Sequence, residues 1–218
     1  MTTIRRIATA LVFAACLILT HSLAIAADSA ARAGTLVLDP ANTQIVFNLG
    51  GSLHTTHGTF QLKSGTIQAD PATGKASGEI VIDAATAETN ESMRDGIMKK
   101  SVLETASYPE ISFTPETVHG TLNPDGAFNA AITGIMRIHG GAHQITLDTN
   151  GQLTGDHLTG SSKFTIPWVA WGMKDPSFLI FRVNDTVDVT FTTAGQVTWA
   201  VAGAAAGSDT AAASDASH

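Results

Sequence analysis

The chain has 218 residues, 44% of them hydrophobic and 14% charged, with 12 Lys or Arg against 19 Asp or Glu and a formal net charge of −7. A nucleic-acid binder needs a basic face, and an anionic membrane surface attracts basic clusters. An acidic chain with no basic run fits neither.

The first 26 residues read as a signal peptide, with Arg5 and Arg6 as the positive start. Residues 7–20 are mostly apolar, and Ala24-Ile25-Ala26 is a small-x-small cleavage pattern before Ala27. The apolar run is too short and wrongly flanked for a membrane span. The twin arginines lack the remainder of a twin-arginine export signal, which leaves general secretion. Phe13-Ala14-Ala15-Cys16 faintly resembles a lipoprotein cleavage box, so a lipid anchor at Cys16 is a minor alternative. Cleavage after Ala26 removes the one cysteine, so stability must come from packing rather than a disulfide. It also removes two arginines, leaving 10 basic residues against 19 acidic, a net charge of about −9.

Residues 34–198 form one domain of ordinary size. Within it, β-rich runs follow one another: Thr35–Asp39, Gln44–Leu49, Gly58–Leu62, Gly65–Ala69 and Gly78–Asp83. After a gap come Ile111–Phe113, Phe128–Thr133, Ile135–Ile138, Gln144–Asp148, Ser161–Ile166 and Thr186–Thr192. Turn signals punctuate them at Asp70-Pro71, Thr73-Gly74, Pro124-Asp125-Gly126, Gly140-Gly141 and Asn150-Gly151. Many short strands with turns between them predict an all-β sandwich or barrel. Several strands alternate, with Ile45, Phe47 and Leu49 on one face and Val187, Val189 and Phe191 on another. A sheet apolar on one face can close on itself, and its inside is then apolar. Alternation does not say whether that inside is filled or hollow.

The gap before Ile111 is different. Met93, Ile97 and Met98 fall at helical spacing, Val102 extends the stripe, and Arg94, Asp95, Lys99 and Lys100 take the other positions. Asn90 or Ser92 is the expected N-cap, with Asp95 closing a weak capping box on Ser92. Gly96 interrupts the pattern. Tyr108 precedes Pro109 and must be extended, so the chain re-enters the sheet there. The helix is either a lid at a barrel mouth or a surface helix on the rim. Residues 199–218 are nearly all Ala, Gly, Ser, Asp and Thr, a composition that favours a disordered tail.

Four pieces in order resemble the YceI-like, polyisoprenoid-binding family of bacterial secreted proteins. They are Leu38-Asp39-Pro40 with Ile45 and Phe47; Thr89-Asn90, Arg94-Asp95 and Tyr108-Pro109 with Ile111 and Phe113; Gly134–Gly140 with Ile145–Leu147; and Trp171–Lys174 with Asn184–Val187. The chain departs from the pattern at Asn48-Leu49-Gly50, at Ala142-His143-Gln144, and at Val102–Ser107, where a phenylalanine pair is usual.

The resemblance implies an antiparallel, lipocalin-like closed barrel of about eight strands with one short helix at the rim, located in the periplasm. It also implies a long apolar lipid inside, an isoprenoid such as a quinone or a polyprenyl chain. Barrel-lining candidates are Ile45, Phe47, Leu49, Phe60, Ile80, Ile82, Phe113, Ile132, Phe164, Ile166, Val189 and Phe191. Entrance or head-group candidates are Met93, Arg94, Ile97, Met98, Trp168 and Trp171. Ala130, Gly134 and Gly160 are small enough to leave a tunnel. Arg94 is either a partner for a lipid head group or part of a structural ion pair.

Other chemistry finds little support. The pairs His54/His57 and His139/His143 sit near glycine-rich turns and offer no third ligand, so no metal is expected. There is no GxSxG serine, the mature chain has no cysteine, and no carboxylate pair can be argued together. A non-enzymatic binding protein without a cofactor is the expectation. The alternative is a ligand-free barrel acting as an envelope-stress or protein-interaction module. A homodimer is compatible with exposed strand edges or a sticky rim, and no membrane-protein partner can be named.

Overall fold

The computed structural model describes residues 32–177 and 182–200. The signal peptide, Cys16 and nearly all of the 199–218 tail lie outside the described residues. Nine strands occur in the order β1 (Gly34–Leu38), β2 (Gln44–Leu49), β3 (Thr56–Asp70), β4 (Lys75–Glu88), β5 (Glu110–Leu122), β6 (Ala127–Ile138), β7 (Gly141–Thr154), β8 (His157–Ile166) and β9 (Val187–Trp199). Among the described residues one α-helix, α1 (Ser92–Ile97), runs on into a π-helical turn, Met98–Val102.

From β2 to β9 each strand pairs antiparallel with the next, and β9 returns to β2. The result is a closed barrel of eight strands, which leaves no open edge in the ring. The ninth strand, β1, shares a position with β2 between β3 and β9. Gly34 pairs with Ala69 and Trp199, whereas Ile45 pairs with Phe60 and Phe191. β1 and β2 therefore run the same way, end to end, as one stave interrupted by residues 39–43. Asp39 holds that interruption, accepting from the Ala41 N–H at 2.9 Å and the Asn42 amide at 2.6 Å.

The observed strands are longer than the sequence runs. Gly58–Leu62 and Gly65–Ala69 belong to one strand, β3, joined through a bulge between Leu62 and Ser64. The bulge shifts the alternation by one residue, so Leu62, then Gly65 and Ile67, are buried. A second bulge in β5 lies between Pro115 and Thr117. Pro115 is fully buried there, at a kind of site where a missing N–H is tolerated. Asn150-Gly151 is not a turn; it lies inside β7, where Gly151 pairs with Gly160 and Phe128. Gly151 allows close approach, since a Cβ there would come within 2.0 Å of the Thr159 carbonyl. The β6–β7 turn is centred on His139 and Gly140, with φ of 50° and 75°, the paired positive values of a tight hairpin turn.

The helix start also differs from expectation. The N-cap is Glu91, whose carboxylate accepts from the N–H groups of Met93 and Arg94. Asn90 instead takes a left-handed φ of 60°, a conformation asparagine tolerates. Asp95 is withdrawn from any capping box because it is buried against Thr89.

The up-and-down order separates the two ends of the barrel. One end carries the β2–β3 loop (50–55), the helix, the β6–β7 turn and the described parts of the β8–β9 connection (167–177 and 182–186). The other carries the short β3–β4, β5–β6 and β7–β8 turns.

Candidate functional site

The helix end of the barrel contains a cavity of about 200 Å³. Its walls come from inward residues at the upper ends of the strands. Ile45, Phe47 and Leu49 of β2 lie beside Phe191, Val189 and Val187 of the neighbouring β9, and Phe60, Ile82, Ile111, Met136, Ile138, Phe164 and Ile166 complete the ring. The helical segment contributes Ile97, Met98, Val102 and Leu103, and the β8–β9 connection contributes Trp168, Met173, Pro176 and Val183. The only polar side chains among these described lining residues are Thr56, Thr89 and Arg94. Alternation puts the same face of each strand inward, which is why apolar residues at i, i+2 and i+4 meet here.

Of the barrel-lining candidates, Ile45, Phe47, Leu49, Phe60, Ile82, Phe164, Ile166, Val189 and Phe191 border the cavity. Ile80, Phe113 and Ile132 do not; they pack in the core beneath it. Their alternation is right and their depth is wrong, since each lies two or more residues further down its strand than a lining residue. The small residues expected to open a tunnel do not open one. A Cβ on Gly134 would fall 2.9 Å from the Phe113 ring, and one on Gly160 would fall 3.4 Å from the Phe128 ring. These glycines make room for aromatic rings that fill the barrel.

Among the entrance candidates, Arg94, Ile97, Met98 and Trp168 border the cavity, while Met93 and Trp171 do not. Met93 points outward and is 75% exposed. Trp171 is stacked flat on His143, with ring centroids 4.0 Å apart and planes 1° apart. This stack ties the β8–β9 connection to β7. Trp168 donates its indole N–H to the Asn184 carbonyl at 3.0 Å, which bridges the same connection internally.

Arg94 is held by a compact polar clasp. Its Nε donates to the Thr89 hydroxyl at 2.7 Å, and one terminal nitrogen donates to the Thr89 carbonyl at 2.9 Å. The Thr89 hydroxyl and N–H both donate to the buried Asp95 carboxylate. The clasp fixes the helix against the end of β4, and Arg94 borders the cavity from there. Both readings of Arg94 meet in this geometry: the arginine is structurally engaged, and it stands at the edge of an apolar chamber.

Sequence reasoning missed Thr56, Thr89, Val102, Leu103, Ile111, Met136, Ile138, Pro176, Val183 and Val187 as lining residues. Ile111, Ile138 and Val187 carried a readable signal, because each sits on the apolar face of a predicted strand. Pro176 and Val183 lie in irregular chain and carried none. Among the described residues no group of three His, Cys, Asp or Glu is placed to hold a metal.

A family model for the YceI-like domain matches residues 36–194. The chain is similar in fold to the solved structure of Burkholderia cenocepacia BcnA, at 20% identity and a TM-score of 0.58, covering 72% of this chain and 98% of that one. It is also similar to a polyisoprenoid binding domain from Saccharophagus degradans implicated in plant cell wall breakdown, at 17% identity and a TM-score of 0.57, covering 75% and 98%. No curated protein sequence matches the chain. The family match takes in part or all of every strand, the rim helix, the Thr89–Arg94–Asp95 clasp and every lining residue named above, and the chain belongs to the YceI-like domain family.

Proposed function

We propose that the chain is a non-enzymatic binding protein that carries an isoprenoid lipid through the periplasm, with the apolar tail inside the barrel. One observation carries this reading: a chamber walled by apolar side chains, with a half-buried arginine at its edge. Burying apolar surface supplies roughly 25 cal/mol per Å², so such a chamber gives affinity for a tail that water rejects. It gives little fine selectivity, since one methylene is worth only about 1–3 kcal/mol in an apolar pocket. The Arg94 guanidinium can bind a phosphate or quinone oxygen of a head group at the mouth. The polyisoprenoid-binding description of the Saccharophagus domain supports the same ligand class. The signal-like N-terminus supports an extracytoplasmic site of action.

The test is native mass spectrometry of the protein purified from its own cell envelope, followed by extraction and identification of bound lipid. The account predicts a stoichiometric isoprenoid. A lipid-free protein that also takes up no added quinone or polyprenol would turn the reading toward the protein-interaction module.

A further inference from the structure

The depth of the cavity sets a limit on what it can enclose. On β2 the lining runs from Leu49 down to Ile45, and on β9 from Val187 down to Phe191. Four residues of strand span about 13 Å at roughly 3.3 Å per residue. β3 alone has 15 residues, so the chamber reaches only about a third of the way along the wall. Below it the inward positions are occupied. Leu38, Leu62, Ile80, Phe113 and Leu147 are buried core, and Ser162 and Thr193 are buried beside them.

The floor is built rather than incidental, because bare backbone is covered at each level by a neighbouring side chain. Leu38 lies over Gly65, Phe113 over Gly134, and Phe128 over Gly151 and Gly160. An eight-stranded barrel is just wide enough either to be filled by side chains or to hold one small ligand. This one does the first in its lower part and the second in its upper part.

We propose that the cavity selects prenyl chains of about farnesyl length, and that longer polyprenyl tails leave their excess outside the barrel. The proposal rests on the isoprenoid-binding reading and assigns Phe113, two residues below the lining Ile111 on β5, as the length-determining residue. Each methylene moved from water into the chamber multiplies affinity about fourfold; each one that stays outside contributes nothing.

The experiment is a titration of the delipidated full chain with geraniol, farnesol, geranylgeraniol and solanesol, followed by calorimetry or tryptophan fluorescence. Affinity is expected to rise about tenfold or more from geraniol to farnesol and to change less than about threefold beyond farnesol. A rise continuing from farnesol to geranylgeraniol or solanesol would overturn the length limit and leave the carrier reading standing. Failure of all four prenols to bind would overturn the carrier reading and the limit with it. In Phe113→Ala, or in the milder Phe113→Leu should the first not fold, geranylgeraniol is expected to gain about fivefold or more while farnesol is unchanged. An unaltered length profile in a folded variant would also overturn the proposal.

Discussion

Thr89 shows how much one side chain can organise. Its hydroxyl accepts from Arg94 and donates to Asp95, its N–H donates to Asp95, and its carbonyl accepts from Arg94. Replacing it by valine keeps the volume but removes the hydroxyl, leaving a buried carboxylate and a half-buried guanidinium each short of a partner. Leaving such groups unmet costs about 1–3 kcal/mol, more where charge is involved. Thr89→Val is therefore expected to lower the unfolding free energy measured in urea by that amount, and Thr89→Ser to restore most of it. Equal stability of the two variants would contradict the clasp. The Thr89 and Arg94-Asp95 pieces were visible in the sequence as a pattern. Their partnership was not, because hydrogen bonds across a five- or six-residue turn follow from the left-handed Asn90 and leave no periodic trace.

At the scale of elements, alternation was legible and depth was not. Ile82 lines the cavity and Ile80 does not; Ile111 lines it and Phe113 does not. Both members of each pair face inward, and a period of two carries no information about distance from the barrel mouth. Bulges hid more. The shift between Leu62 and Ser64 made one strand read as two, and Asn150-Gly151 imitated a turn because close backbone approach and tight turning both call for glycine. The interruption between β1 and β2 was legible as Asp39-Pro40, and it has a testable chemistry. Hydrogen bonds from Asn42 and Ala41 hold the Asp39 carboxyl below its ordinary range, and Thr73 does the same for Asp70 in the β3–β4 turn. A depressed carboxyl pKa stabilises the fold above the unfolded value near 4 and loses that contribution as pH falls from there through the lower folded-state value. Glu110 acts in the opposite direction on Lys63, raising its pKa; that contribution is present below about pH 10 and lost above. Denaturant midpoints measured across pH should show Asp39→Asn and Asp70→Asn weaker than wild type at neutral pH and converging with it in acid. A gap that persists in acid would mean that the carboxylate charge is not what these turns use.

At the scale of the whole molecule, closure converts strand chemistry into a container. The ring from β2 to β9 has every strand paired on both sides, and the long connections gather at one end, where the helix and residues 167–177 border the opening. The all-β class and a helix between strands were readable from runs, turns and one break in the strand pattern, whereas the choice of a closed barrel over a sandwich came from the family resemblance. The division of the interior into a hollow upper part and a filled lower part was not, because it depends on which inward residues share a level around the ring. The central claim is that an apolar tail occupies the upper part. The most direct measurement is photoaffinity labelling with a diazirine-bearing farnesyl probe, followed by peptide mapping. The account predicts label on Met136, Phe164, Met173 or their cavity neighbours, competed away by unlabelled farnesol. Label confined to the exposed Met93 and Leu53 surface, or label that farnesol does not displace, would contradict it.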